Sequence, residues 1–157
     1  MRVAIIRHGK AERHSESGLD ADRELTGRGT RQAEWLAQHL SDRESPPTLL
    51  LVSPIVRAQQ TAGPIATALG LTARTEPRLT TDVGPSDVLE AIAEHEMAES
   101  LALVGHNPHF EQTISLLAVG HRHGVRLRTG EAAILDLEDP REAIGRATLV
   151  DMVRLDD

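Results

Sequence analysis

The sequence predicts a three-layer α/β/α fold, a mostly parallel central sheet with helices on both faces. Two observations carry this. Four short apolar runs, Val3-Ala4-Ile5-Ile6, Leu49-Leu50-Leu51-Val52, Leu101-Ala102-Leu103-Val104 and Ala132-Ala133-Ile134-Leu135, lack alternation and therefore read as strands buried on both faces. Between them lie segments with helical spacing, and strands that alternate with helices build doubly covered sheets.

Taken in order, the first run leads into Arg7 and His8. Ala33, Leu36, Ala37 and Leu40 then follow the i, i+3, i+4, i+7 spacing of a helix with one buried face. After the second run, Ser53-Pro54 places a capping residue before a proline suited to the first helical turn. Gly63-Pro64 is expected to kink or interrupt the helix begun there. Val88, Ala91 and Ile92 begin another helical pattern, and Asn107-Pro108 repeats the cap-and-proline arrangement after the third run. Phe110, Ile114 and Leu117 mark the helix that follows, and partial alternation from Ala147 to Leu155 reads as an edge strand. No repeat or linker divides the chain, so residues 1–157 are expected to form one domain.

Composition narrows the chemistry. The chain has 157 residues, 39% hydrophobic and 26% charged, a globular balance. It contains no cysteine, which excludes disulfides, thiolate zinc sites and a thiol nucleophile. Trp35 and Phe110 are its only Phe, Trp or Tyr residues, too few for a base-stacking platform, and the net charge of −7 disfavours a nucleic-acid partner. No segment has the length of a membrane span or the form of a signal peptide, so a cytoplasmic location is expected, without membrane or nucleic-acid partners.

Polar residues gather where open α/β sheets bind ligands, beyond the carboxyl ends of strands. His8 follows the first run by two positions, Ser53 directly follows the second, and His106 follows the third by two. Two helix N-termini open at the same edge, and their free N–H groups favour an anion. Arg7 and Arg57 add fixed positive charge. Two histidines, two arginines and helix ends together describe a phosphate pocket.

The same residues resemble a known family. Arg7-His8-Gly9 at a strand end is similar to the RHG signature of the histidine phosphatase superfamily, whose fold is phosphoglycerate mutase-like. Three further segments agree in order: Arg23-Glu24-Leu25-Thr26-Gly27-Arg28-Gly29, the run from Ser53-Pro54 to Gln60-Thr61-Ala62, and Val104-Gly105-His106-Asn107-Pro108. Their pattern resembles the SixA-type phosphohistidine phosphatases over roughly Arg2 to Leu137. The resemblance implies that His8 takes the phosphoryl group as nucleophile while Arg7, Arg57 and His106 bind its oxygens. It implies hydrolysis of phosphohistidine on a partner protein, a phosphotransfer domain or carrier in signal transduction, with no metal and no cofactor. The alternatives are a phosphatase of the same superfamily acting on a small phosphate ester, and a phosphate- or phosphoprotein-binding module without turnover.

Elementary chemistry agrees with the implied roles. Arginines hold phosphoryl oxygens bidentately. Their charge should also lower the pKa of His8 and keep it neutral, whereas His106 is expected to act charged and give a bell-shaped pH profile.

Arg23, Ser53 and Asn107 are further candidates for substrate binding. Each has a plainer role available: an ion pair with Asp20 or Glu24 for Arg23, and capping for the other two. Asp82, in Leu79-Thr80-Thr81-Asp82-Val83-Gly84-Pro85, is a candidate general acid or simply a turn residue. An obvious acid is otherwise absent, which favours a phosphohistidine substrate whose imidazole leaves readily. His106, His109, His121 and His123 could suggest a metal site, but no carboxylate set accompanies them. Gly27 and Gly29 lack the lysine and spacing of a nucleotide-binding loop.

Overall fold

The computed structural model describes residues 1–156. It contains a six-stranded sheet in the order β3-β2-β4-β1-β5-β6. The strands are β1 (Arg2–Arg7), β2 (Leu49–Val52), β3 (Arg74–Thr75), β4 (Ser100–Gly105), β5 (Glu131–Asp136) and β6 (Thr148–Arg154). The helices are α1 (Gly27–Ser41), α2 (Val56–Leu69), α3 (Pro85–Glu94) and α4 (His109–Val119). The four apolar runs are four of the six strands.

Side-chain alternation sends each strand's residues to two cores. Val3 and Ile5 of β1 join Leu101 and Leu103 of β4 under α3 and α4, with Val88, Ile92, Phe110 and Ile114. Ala4 and Ile6 join Ala102 and Val104 under α1 and α2, with Leu36, Leu40, Ala58 and Ile65. The helices therefore cover both faces, in three layers.

The sheet is mixed. The pairings of β1 with β4, β4 with β2 and β2 with β3 are parallel, while β5 is antiparallel to both β1 and β6. Residues 120–130 cause the reversal. They carry the chain from α4 back to the carboxyl end of β1, where the Gly130 N–H donates to the carbonyls of Arg7 and His8 at 3.1 and 2.9 Å. Gly130 turns there with φ of +66°, and a Cβ would lie 2.7 Å from Gln32, so glycine fits on both counts.

Two helix expectations are corrected. α2 begins at Val56 and runs unbroken through Pro64. Ala58, Ala62 and Ile65 bury one stripe against the sheet on both sides of the proline, which keeps the segment helical despite the lost N–H. Ser53 precedes the helix by three residues, and its Oγ accepts from the Ile55 N–H at 3.2 Å. The expected edge strand is β6.

Candidate active site

Register brings the two histidines together. In the β1–β4 pairing Ile6 faces Val104 and Arg7 faces Gly105, and the His8 N–H continues the ladder to the Gly105 carbonyl at 3.1 Å. One further step places His8 beside His106. Both continue the parity of Ile6 and Val104, on the α2 side. Their ring centroids are 5.2 Å apart. Arg57, in the first turn of α2, meets them there and is 4% exposed.

The hydrogen bonds of His8 define its tautomer. Nδ1 lies 2.7 Å from the Gly9 carbonyl, which only accepts, so Nδ1 carries the proton. Nε2 then holds the lone pair, and the Arg57 Nε–H donates to it at 3.3 Å. Burial pushes the imidazole pKa down to about 4, with Arg57, Arg7 and Arg23 repelling the proton further, against the opposing pull of the Gly9 carbonyl. The arginines act as expected on His8, but burial is the larger cause. The ring is neutral at physiological pH.

His106 follows the same logic through Ser53. The Ser53 Oγ lies 2.7 Å from His106 Nε2 and already accepts from the Ile55 N–H. With the Ser53 hydroxyl proton given to Nε2, the proton of His106 sits on Nδ1, a buried atom with no protein partner. Burial, then the neighbouring His8 and Arg57, lower the His106 pKa to about 3. A neutral ring is thus a hydrogen-bond donor, and the expectation of a charged His106 is corrected.

Around these rings lies a cavity of about 330 Å³ whose walls include Arg7, His8, Arg23, Arg57, His106 and Asn107. No carboxylate lines it among the described residues. Asp20, in a short 3-10 turn (Asp20–Asp22), stands behind the arginines. Its Oδ2 accepts from Arg57 at 3.1 Å and its Oδ1 from Arg23 Nε at 2.9 Å, while its backbone carbonyl accepts from Arg57 at 2.9 Å. Burial alone would raise its pKa, but the two arginines hold the carboxyl below the usual carboxylate range. Three of the five guanidinium N–H groups of Arg57 are occupied by His8 and Asp20, leaving one on each terminal nitrogen for a ligand.

Other candidates fall into supporting places. Both Nδ2 hydrogens of Asn107 go to Glu111 and the Leu127 carbonyl, at 3.0 and 2.8 Å, and its Oδ1 accepts from the Glu111 N–H. Arg7 donates to that same Leu127 carbonyl at 3.2 Å. Asn107 therefore braces the loop that holds Arg7 and has no amide donor left for a substrate. Asp82 is exposed with φ of +63° and lies outside the cavity lining, where Thr81 stands instead. His109 is buried beside Phe110, away from the lining. His121 and His123 lie on an exposed loop, and no group of His, Asp and Glu suited to a metal gathers among the described residues.

Sequence reading passed over three supporting residues. Thr61 accepts from the Gly9 N–H at 3.0 Å and donates to the Arg57 carbonyl, one helical turn back in a segment already singled out. Gln32 accepts from the Lys10 N–H at 2.8 Å. Asp20 was visible only as an ion-pair partner of Arg23. Gly9 and Gly29 let two backbones cross here: a Cβ on Gly29 would sit 2.1 Å from the Lys10 carbonyl oxygen.

A basic cavity at the carboxyl edge of an α/β sheet, with a lone-pair imidazole nitrogen facing an arginine, is suited to hold a phosphoryl group. The family profile described as histidine phosphatase superfamily (branch 1) matches residues 3–122. The chain belongs to that superfamily. It is 34% identical over 126 residues to the phosphohistidine phosphatase SixA homolog of Haemophilus influenzae, covering 69% of this chain and 71% of that protein. The structure of the protein histidine phosphatase SixA complexed with tungstate superposes with a TM-score of 0.84 at 26% identity, over 98% of this chain and 97% of the other. A mycobacterial glucosyl-3-phosphoglycerate phosphatase shares the fold, with a TM-score of 0.71 at 19% identity over 95% of this chain and 96% of its own. No helix among the described residues is long and apolar enough to cross a membrane.

Proposed function

We propose that this phosphatase hydrolyses phosphohistidine on a partner protein through a covalent phospho-His8 intermediate. The observation that carries the reading is the His8 tautomer, with Nδ1–H on the Gly9 carbonyl and the Nε2 lone pair facing Arg57. Similarity to proteins named as SixA phosphohistidine phosphatases supports the choice of substrate.

The steps follow from this chain's own groups. Nε2 attacks phosphorus as the bond to the substrate's imidazole breaks. A phosphohistidine protonated on its distal ring nitrogen releases a neutral imidazole, whose conjugate acid has a pKa of about 6.5, so the site needs no acid. The lining, free of carboxylates, suits that leaving group better than an alkoxide. Arg7 and Arg57, with His106 beside them on the cavity wall, answer the charge that builds on the equatorial oxygens. Phosphorylated His8 is cationic, and its Nδ1–H remains on the Gly9 carbonyl. Water then attacks phosphorus, the P–N bond electrons return to Nε2, and dihydrogen phosphate leaves a neutral ring.

The test incubates wild type and His8→Ala with a histidine-phosphorylated carrier protein and with p-nitrophenyl phosphate. Wild type should release phosphate from the carrier and acquire an acid-labile phosphoryl label, and His8→Ala should do neither. Full activity of His8→Ala would overturn the nucleophile, and a preference for the ester would overturn the substrate class.

A further inference from the structure

The cavity holds more positive charge than one phosphoryl group requires. Besides Arg7, Arg23 and Arg57, its walls include Lys10 and Arg13. Arg57 and Arg23 share the Asp20 carboxylate, but the Lys10 ammonium and the Arg13 guanidinium have no hydrogen bond or ion pair among the described residues.

Lys10 belongs to a fixed rim, and Arg13 follows that rim directly in the chain. The Lys10 carbonyl accepts from the Thr26 N–H at 2.9 Å, Glu12 N–H donates to Glu24 at 2.8 Å, and Ala11 bridges Leu25. With the Lys10 N–H bound to Gln32, the backbone of residues 10–12 is held on two sides. The same stretch sorts its charges. Glu12, Glu16, Asp22 and Glu24 line a separate hollow of about 410 Å³, leaving the wall of the basic cavity to the cations. In a chain with net charge −7, this is an uneven distribution.

From this sorting we infer that Lys10 and Arg13 form a subsite for a second anionic group, a carboxylate or phosphate carried by the substrate beside the scissile phosphoryl group. The inference rests on the phosphatase reading of the cavity and specifies the substrate further. Two solvent-accessible ion pairs are together worth about tenfold in affinity at low salt, and the gain fades as ionic strength rises. An acidic residue next to the phosphohistidine of a protein, or a second phosphate on a small molecule, would supply the charge.

The experiment compares wild type, Lys10→Gln/Arg13→Gln, and the control Arg2→Gln/Arg141→Gln, which changes net charge equally; Arg2 begins β1, at the end opposite the site. One arm measures orthophosphate and pyrophosphate binding by calorimetry. The other measures kcat/KM on histidine-phosphorylated peptides flanked by Glu or by Gln. Wild type and the control should favour the second anion about tenfold, and Lys10→Gln/Arg13→Gln should reduce that ratio to within twofold. A loss confined to the peptide arm identifies an acidic protein neighbour, and one confined to pyrophosphate a small-molecule phosphate. An unchanged ratio in both arms, or an equal loss in the control, overturns the subsite. Failure of the phosphatase reading would show separately, as absent turnover with the binding arm intact.

Discussion

Lowering the pH from 7 to 5 should destabilise this fold through the two site histidines. His8 is 7% exposed and His106 is 2% exposed, with pKa values pushed down to about 4 and about 3. In the unfolded chain each ring returns to about 6.5. A lowered histidine pKa means that the unfolded state binds protons first, so stability is full above pH 6.5 and falls as pH drops towards the folded values. At pH 5 the unfolded rings lie 1.5 units below their midpoint while the folded rings remain neutral. At roughly 1.4 kcal/mol per unit this costs about 2 kcal/mol for each ring and about 4 kcal/mol together. His109, also lowered by burial, adds in the same direction. Arginine-bound carboxylates such as Asp20 titrate below this window and contribute little to it. Urea titrations at pH 7 and pH 5 measure the difference, and with a slope of about 2 kcal/mol/M the midpoint should drop by about 2 M. His8→Asn/His106→Asn should lose most of that drop, whatever its stability at pH 7. If the double variant keeps the wild-type pH dependence, the buried neutral rings are not its source.

The hydroxyl of Ser53 should matter through His106. Ser53→Ala is expected to reduce kcat by about 10- to 100-fold and to shift the His106 ring nitrogen resonances towards mixed tautomers, whereas Ser53→Thr, which keeps the donor, should restore the resonances. At the backbone crossing, Gly29→Ala should cost about 3 kcal/mol or more by thermal unfolding, while Gly63→Ala, in open space on α2, should stabilise by a few tenths to about 1 kcal/mol. Asp82→Ala should leave both phosphohistidine and ester hydrolysis within twofold of wild type, and a selective loss of ester hydrolysis would mean that Asp82 reaches the cavity. With both site histidines neutral, kcat/KM on phosphohistidine should fall from pH 7 to pH 9 only as the substrate's distal ring nitrogen loses its proton. An ester substrate should give a flat profile, and a fall on the ester in that range would restore a charged His106.

The parts of this fold that could be read from the sequence were those set by local periodicity. Unbroken apolar runs placed β1, β2, β4 and β5, and helical spacing placed the interiors of α1, α3 and α4. The direction of β5 was not readable, because an apolar run looks alike whichever way it enters the sheet. Two-residue β3 has too few residues to carry a pattern. For the site, His8, Arg57 and His106 were legible because each follows a strand end by a short, fixed offset. The roles of Ser53 and Asn107 depended on which of their hydrogen-bonding groups the fold had already occupied, and spacing does not encode that. Asp20 was hardest to see, since its partner Arg57 is 37 residues away and its own neighbourhood is a loop without periodicity.

The carboxylate of Asp20 gives two of the cavity's arginines a permanent counter-ion outside its walls. An arriving phosphoryl dianion enters a place where part of the arginine charge is already answered, and a departing phosphate leaves a counter-ion still in position behind it. Asp20 and the ligand use different N–H groups of Arg57, so one guanidinium serves both anions through each turnover. Because Asp20 already answers part of the arginine charge, inorganic phosphate, the final product, is held less tightly, which favours release over retention and clears the cavity for the next phosphoryl group.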